Sequence, residues 1–353
     1  MAALMAATAL TGCDSAIYDD EGDCDIHYRL RFRFDYNLMW ADAFPHHVHS
    51  VAVYAFHPDG TFAWQREESG LHLAADGYMM NLDGVTPGEY RLIAWCGMEN
   101  SFLGTQPESF TLPELTPGVS PESELQCRME RLRHADGSAY SESDLWPLFH
   151  GMVADVEIID SESLEADGQT VVYECSLKKD TNRVRVILQQ LSGDDLDVCN
   201  FTFRIQSDNG HMAHDNEVLD DETITYRPWN TESGVAGVGQ PGLAAPGRAG
   251  DDPSFTPVRV AIADLTVGRL IYGRPMTLTV TNTKNETVAS IPLVDYAVMV
   301  KGNYPEPMDE QEYLDREDTY TLTFFLDSSQ KWAGVSVFIN SWRVLSKDVN
   351  ITS

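Results

Sequence analysis

Residues 26–36 read Ile26-His27-Tyr28-Arg29-Leu30-Arg31-Phe32-Arg33-Phe34-Asp35-Tyr36, an unbroken alternation of apolar and polar side chains. Successive side chains of a pleated strand point to opposite faces, so this period of two predicts a strand with one buried and one wet face. Downstream, Val51–Phe56 runs through Pro58-Asp59-Gly60 into Thr61–Trp64. Pro followed by Asp-Gly between apolar runs predicts a hairpin, because Gly accepts positive φ. Thr86-Pro87-Gly88-Glu89 is a second turn and feeds a strand over Tyr90–Cys96. Short strands separated by turn residues at this spacing predict a sandwich rather than a helical or α/β fold.

The periodicity lapses between residues 98 and 150, where Pro121–Leu132 suits a short helix and Asp144–Phe149 a turn. Strands return at Val153–Ile159 and Val171–Leu177, and Lys178-Lys179-Asp180 marks a boundary. Beyond it Val184, Val186 and Leu188 alternate with Arg183, Arg185 and Ile187, and Phe201, Phe203 and Ile205 form a similar face. Residues 231–254 hold six glycines and three prolines and read as a mobile insertion. Further strands are expected at Val258–Ile262, Met276–Thr281, Val288–Leu293, Tyr320–Leu326 and Val335–Leu345, with a short helix at Met308–Leu314. The expected fold is all-β: two antiparallel Greek-key β-sandwich domains in tandem, at 25–178 and 179–353.

Among 353 residues, 55 are acidic and 24 basic, a formal net charge of −31. That field repels a phosphate backbone, so nucleic acid is not an expected partner. Anionic head groups are repelled as well, which leaves acyl chains or a hydrophobic span as the means of membrane attachment. Residues 1–12 are uncharged, but as a helix they reach only about 18 Å against a hydrocarbon core of about 30 Å. They read as the apolar region of a signal peptide, and since the first basic residue is Arg29, its true start is expected upstream.

Leu10-Thr11-Gly12-Cys13 looks like a bacterial lipobox. Cleavage before Cys13 makes it the new N-terminus, carrying a diacylglycerol and an N-acyl chain. Several chains, at about 0.8 kcal/mol per buried methylene, anchor more firmly than one. Residues 13–24, with Asp14 and Asp19-Asp20-Glu21-Gly22-Asp23, then form an acidic solvated tether. Acidic residues directly after such a cysteine resemble the surface-export signal of Bacteroidetes lipoproteins. The expected location is therefore the outer face of the outer membrane.

Chemistry is sparse. His46, His47 and His49 form the only histidine cluster and read as a polar loop, not a metal site. There is no Gly-x-Ser-x-Gly elbow, phosphate-cradling glycine loop or His-Glu-x-x-His. Trp64, Trp95, Trp146, Trp229, Trp332 and Trp342 are read as core in preference to a sugar-binding row. Cys24, Cys96, Cys127, Cys175 and Cys199 fit no zinc spacing, and their pairing stays open. The reading is of a protein that binds and assembles, without enzymatic activity or a cofactor beyond the lipid on Cys13.

Several segments together resemble the anchoring-subunit branch of the Bacteroidetes fimbrillin superfamily. They are the lipobox, Asp25–Tyr36, Val51–Gly60, Pro87-Gly88-Glu89-Tyr90, Ala94-Trp95-Cys96-Gly97, Leu148-Phe149-His150-Gly151, Gln311–Tyr320 and Ile339-Asn340-Ser341-Trp342. Where family members often carry two glycines after the tryptophan, here Cys96 precedes Gly97, and Ser341 stands where glycine is common. The resemblance implies transthyretin-like sandwiches and a role at the base of a fimbrium, holding the first shaft subunit and limiting fibre length. Two alternatives are a fimbrial tip or accessory subunit and a glycan-binding lipoprotein of a nutrient-uptake system. Ligands on host or bacterial surfaces are left open as further partners. Fimbriae of this superfamily grow by strand addition; shaft subunits open a groove when an arginine-specific protease removes their first strand. Here Arg29, Arg31 and Arg33 lie inside the alternating strand, so it is expected to be retained. Docking is expected instead at the C-terminal segment carrying Val335, Val337, Ile339 and Trp342.

Overall fold

A computed structural model describes residues 26–98, 109–159, 169–190, 196–238, 256–304, 306–340 and 342–344. The fold is all-β, as the alternation predicts. The first half contributes β1 (His27–Arg33), β2 (Ser50–Phe56), β3 (Phe62–Ser69), β4 (Met80–Asn81) and β5 (Gly88–Cys96). Short strands follow: β6 (Phe110–Thr111), β7 (Cys127–Met129), β8 (Leu132–Arg133) and β9 (Ala139–Ser141). Two long ones close this half, β10 (Phe149–Ile158) and β11 (Thr170–Lys179). The second half opens with β12 (Thr181–Gln190), β13 (Phe201–Ser207), β14 (His211–Met212), β15 (Ile224–Tyr226) and β16 (Asn230–Val238). It continues with β17 (Thr256–Gly268), β18 (Thr277–Asn282), β19 (Thr287–Pro292), β20 (Thr319–Leu326), β21 (Trp332–Ile339) and β22 (Trp342–Val344). Three short helices accompany them: α1 (Phe44–His47), α2 (Leu293–Val298) and α3 (Glu310–Arg316).

One sheet has the order β3-β2-β5-β10-β11-β1-β4. Two more read β16-β17-β12-β20-β21-β22 and β19-β18-β13-β15-β9-β8, and β14-β7-β6 form a small fourth. Most pairs are antiparallel, but β1 lies parallel to β11, β12 parallel to β20, and the short β9 parallel to β15. In each half the first strand thus closes a sheet against a late strand, a pairing that needs a long crossover and not a hairpin.

The stretch Ser50–Phe56 is buried at every position. Val51, Val53 and Ala55 face a core that also holds Tyr28, Leu30, Phe32 and Leu177. Ala52, Tyr54 and Phe56 face a second core that contains Val184, Phe203, Tyr320 and Val337. A strand buried on both faces loses its polar alternation, and here it is the shared wall between the two halves.

The turn at Asp180 separates β11 from β12, near the expected boundary, yet hydrogen bonds cross it. Strand β7 pairs with β14 and β9 pairs with β15, so residues 127–141 join sheets of the second half. Where a short helix is expected at Pro121–Leu132, a single 3₁₀ turn (Glu122–Glu124) precedes β7. The expected insertion at 231–254 is also corrected in its first part. Asn230–Val238 is strand β16, in full antiparallel register with Thr256–Asp264 of β17; its Thr, Ser and Val residues tolerate extended backbone. Residues 239–255 lie outside the described residues. The expected helix at Met308–Leu314 is found as α3, begun by Asp309, whose side chain accepts from the Glu312 amide at 2.7 Å.

Candidate functional site

The chain enters the described structure at β1. All seven β1 residues pair with β11, from His27 opposite Thr170 to Arg33 opposite Ser176. On its other edge Arg29 and Leu30 pair with β4, and the Leu82 amide donates to the Tyr28 carbonyl at 2.9 Å. Asp83 closes the start of the strand. It accepts from the Tyr28 amide at 2.9 Å and lies 3.0 Å from His27 Nδ1 and 2.8 Å from Arg29. Burial alone would raise the Asp83 carboxyl, but Arg29, the Tyr28 amide and His27 outweigh it and hold the group below its ordinary value. The outward arginines follow one another along an acidic row: Arg31 is 3.5 Å from Glu174, and Arg33 is 3.1 Å from Asp35 and 3.7 Å from Glu174. The three candidate cleavage residues therefore have paired backbones and salt-bridged side chains.

The far end of β1 is clamped by the second half. Phe34 is buried against Phe149, edge to face at 5.0 Å. Asp42 accepts from the amides of Phe34 at 2.9 Å and Phe44 at 3.0 Å, which folds the loop back. Into this loop projects Arg316 of α3. Its guanidinium lies 4.0 Å from the Tyr36 ring centroid and 3.6 Å from that of Trp40, and its Nε donates to Glu312 at 2.9 Å. A cation between two aromatic faces is a favourable contact when largely desolvated, and Arg316 is only 8% exposed. Burial, with Asp315 nearby, raises the Tyr36 hydroxyl and keeps it neutral. Trp40 was not among the tryptophans singled out from the sequence; a lone Trp in a loop carries no period to reveal its partner.

The C-terminal segment is a hairpin and not the single strand expected over Val335–Leu345. Val335, Val337 and Ile339 lie on β21 and Trp342 on the edge strand β22. Asn340 makes the turn with φ of 47°, a conformation Asn tolerates better than most residues. Its side chain donates to the Thr319 carbonyl at 2.8 Å and to Glu317 at 3.1 Å, and accepts from the Thr321 amide at 2.7 Å. Val337 and Ile339 are fully buried in the core shared by both halves, which leaves β22 as the outer strand of this sheet. Cys13, the tether and residues 345–353 lie outside the described residues.

His47 packs edge-on against Phe34 at 5.7 Å, and burial lowers its pKa. Among the described residues no group of three or more His, Cys, Asp or Glu side chains is placed to hold a metal, and no helix is long and apolar enough to cross a membrane. Cys96, Cys127 and Cys175 are buried free thiols and Cys199 an exposed one. Of the expected core tryptophans, Trp95 and Trp146 are buried, whereas Trp229 is 38% exposed.

The profile of a family described as fimbrillin-A associated anchor proteins Mfa1 and Mfa2 matches residues 20–348. A curated relative, the minor fimbrium anchoring subunit Mfa2 of Porphyromonas gingivalis, is 24% identical over 224 residues, which is 63% of this chain and 63% of that protein. The match thus spans less than two thirds of the relative's length. Among solved structures, a candidate polysaccharide-binding protein from Bacteroides thetaiotaomicron is 27% identical with a TM-score of 0.72, covering 92% of this chain and 99% of that one. The P. gingivalis fimbrial anchor Mfa2 shares the fold, with 18% identity, a TM-score of 0.62, and coverage of 91% of this chain and 99% of that one.

Proposed function

The chain belongs to the family of fimbrillin-A associated anchor proteins, and we propose that it is the lipid-anchored base of a fimbrium and the terminator of its growth. In this reading Cys13 carries the acyl chains that hold the protein on the outer membrane, and the first shaft subunit is its partner.

The observation that carries the reading is the first strand. Strand addition requires an open groove into which a neighbour lays an extended segment. Here β1 fills the position between β11 and β4 and is held by Asp83 at one end and the Arg316 clamp at the other. A subunit that keeps this strand offers no groove there, so a fibre cannot continue past it. Losing the strand would also cut the link to Cys13. Engagement of the shaft is therefore assigned to the opposite end of the chain, at β22 and the residues after it. Val337 and Ile339 support that edge from the core and do not themselves contact the partner.

Shearing cells and following both protein and fibres tests this. Cys13→Ala is expected to leave the membrane fraction, and deletion of residues 346–353 to leave lipidated protein on cells that shed their fibres. The reading fails if Cys13→Ala stays with outer membrane in high salt without its partners. It fails equally if fibres remain cell-bound after the deletion, or if the mature N-terminus begins beyond Arg33.

A further inference from the structure

The turn between β11 and β12 holds the most fully enclosed carboxyl group among the described residues. Asp180 is 0% exposed. Its amide donates to the Leu148 carbonyl at 2.8 Å, which pins the turn to the chain entering β10. One carboxyl oxygen, Oδ1, accepts from Asn216 Nδ2 at 3.0 Å. The other, Oδ2, is buried and reached by no protein donor. Asn216 shows the same defect from its own side: its Oδ1 is buried and receives nothing.

The nearest cation is already committed. Arg269, at the end of β17, donates from Nε and Nη2 to the two oxygens of Asp315 at 2.8 and 2.7 Å, and from Nη1 to the Asn216 carbonyl at 2.7 Å. Its Nε is 3.8 Å from Asp180, too far for a hydrogen bond. From β11, Lys178 points to Asp315 at 3.6 Å with its side chain 41% exposed. Beside the cluster, His150 of β10 donates from Nε2 to the His214 carbonyl at 2.8 Å, and burial, which lowers its pKa, keeps the ring neutral. Asp215 and the buried Cys127 thiol also feel this cluster electrostatically. Asp315 takes both arms of the Arg269 fork, so a charged Asp180 would be offset only by the longer 3.8 Å ion pair to Arg269, the Asn216 amide and the more distant, partly exposed Lys178.

We infer that Asp180 is protonated on Oδ2 in the folded protein and donates that proton to Asn216 Oδ1, closing a cyclic acid–amide pair. A carboxylic acid and a primary amide are complementary in this way: each supplies one donor and one acceptor in one plane. A single proton satisfies both orphaned oxygens, whereas an ionised Asp180 leaves two buried acceptors unsatisfied. Burial raises this carboxyl to about 7 in spite of Arg269. Asn216 is suited to its task by backbone as well, since φ of 71° is a conformation that Asn adopts readily.

The pair joins the hinge between the halves to the loop after β14, so the junction is stabilised by proton uptake. The folded pKa is raised above the unfolded value, and the folded state binds the extra proton between the two. This group's contribution therefore weakens as pH rises from about 4 to about 7 and is flat above. Asp180→Asn keeps an amide pair at every pH. The unfolding midpoint of Asp180→Asn minus that of the wild type is expected to grow from about pH 4 to about pH 7 and to level off above. Infrared difference spectra of protein with ¹³C-labelled aspartate read the proton directly. Near pH 6 the wild type should show a protonated-carboxyl stretch that Asp180→Asn lacks. A pH-independent midpoint difference, or no such band, overturns the inference. An ionised Asp180 solvated by an ordered water gives both results, and the spectra decide even if the variant fails to fold.

Discussion

Truncating Phe32 to Ala tests whether β1 is held by its own packing. The side chain is 2% exposed and stacks on Phe44 and Tyr78, with ring centroids 5.6 and 6.4 Å apart and planes 12° apart in both pairs. Removing a buried phenyl costs about 3–5 kcal/mol in transfer and cavity terms, and loss of two stacked contacts favours the upper part of that range. Such a loss is a large share of the stability of an ordinary domain. A local cost of about 4 kcal/mol raises the population with β1 detached by roughly a thousandfold. Cleavage of a transiently open segment tracks that population when reclosing is fast, so the two effects can be read on one sample. Denaturant unfolding gives the stability change. Digestion with an arginine-specific protease, followed by N-terminal sequencing, gives the exposure of Arg29, Arg31 and Arg33. The wild type should keep its N-terminus under native conditions while Phe32→Ala is cut after Arg31 or Arg33. An unchanged midpoint, or a wild type cut there as fast as the variant, would refute the claim that packing guards the strand.

Gly97→Ala should fold poorly or not at all, because an added Cβ collides with the Pro147 carbonyl oxygen and the backbone φ is 83°. The cost should exceed the roughly 1–3 kcal/mol of left-handed strain alone, and soluble yield with a thermal melt reads it. His150 should give an acid limb to stability. Burial lowers its pKa to about 4, so as pH falls from about 6.5 the unfolded chain takes up a proton that the folded one refuses, losing roughly 3 kcal/mol by about pH 4. His150→Gln should flatten that limb in pH-dependent melts; an unaltered slope would show that the histidine does not report burial.

The elements that a local period can announce were legible. Tyr28, Leu30 and Phe32 are buried, and His27, Arg29, Arg31 and Arg33 are at most half-buried, as the alternation requires. Strand β2 was legible as a strand, but not as a wall between two cores, because its run of apolar residues has no polar face to indicate a direction. The break in the C-terminal strand turns on Asn340, whose role depends on Glu317, Thr319 and Thr321, some twenty residues earlier. The same limit hides the junction. Asp180, Asn216, Arg269 and Asp315 are far apart in sequence and come together only after four elements have packed. Glycine content misled at Asn230–Val238, where the long register with β17 outweighs local flexibility. In the Ala94-Trp95-Cys96-Gly97 motif the last position carries the constraint: Gly97 makes the turn, while Cys96 is a buried side chain on β5.

The parallel pairing of β1 with β11 gives the proposed anchor a mechanical logic. In that proposal the segment from Cys13 joins the N-terminal end of β1. The second half attaches at the other end of the pair, through Asp180 after β11 and through Arg316 on the loop after β1. In a parallel pair, the start of one strand and the finish of its neighbour lie at opposite ends. A fibre pulling on the second half and a lipid holding Cys13 therefore draw β1 and β11 past each other along their length. The hydrogen bonds from His27 to Arg33 are loaded together, and none can open without the rest. An antiparallel partner leading directly to the second half would be unzipped one bond at a time. The Arg316 clamp works in the same sense, since it resists the withdrawal of Tyr36 and Trp40 toward the membrane. In this arrangement the strand that closes the groove also bears the load, which is why weakening Phe32 is expected to affect both protease resistance and retention of fibres under shear.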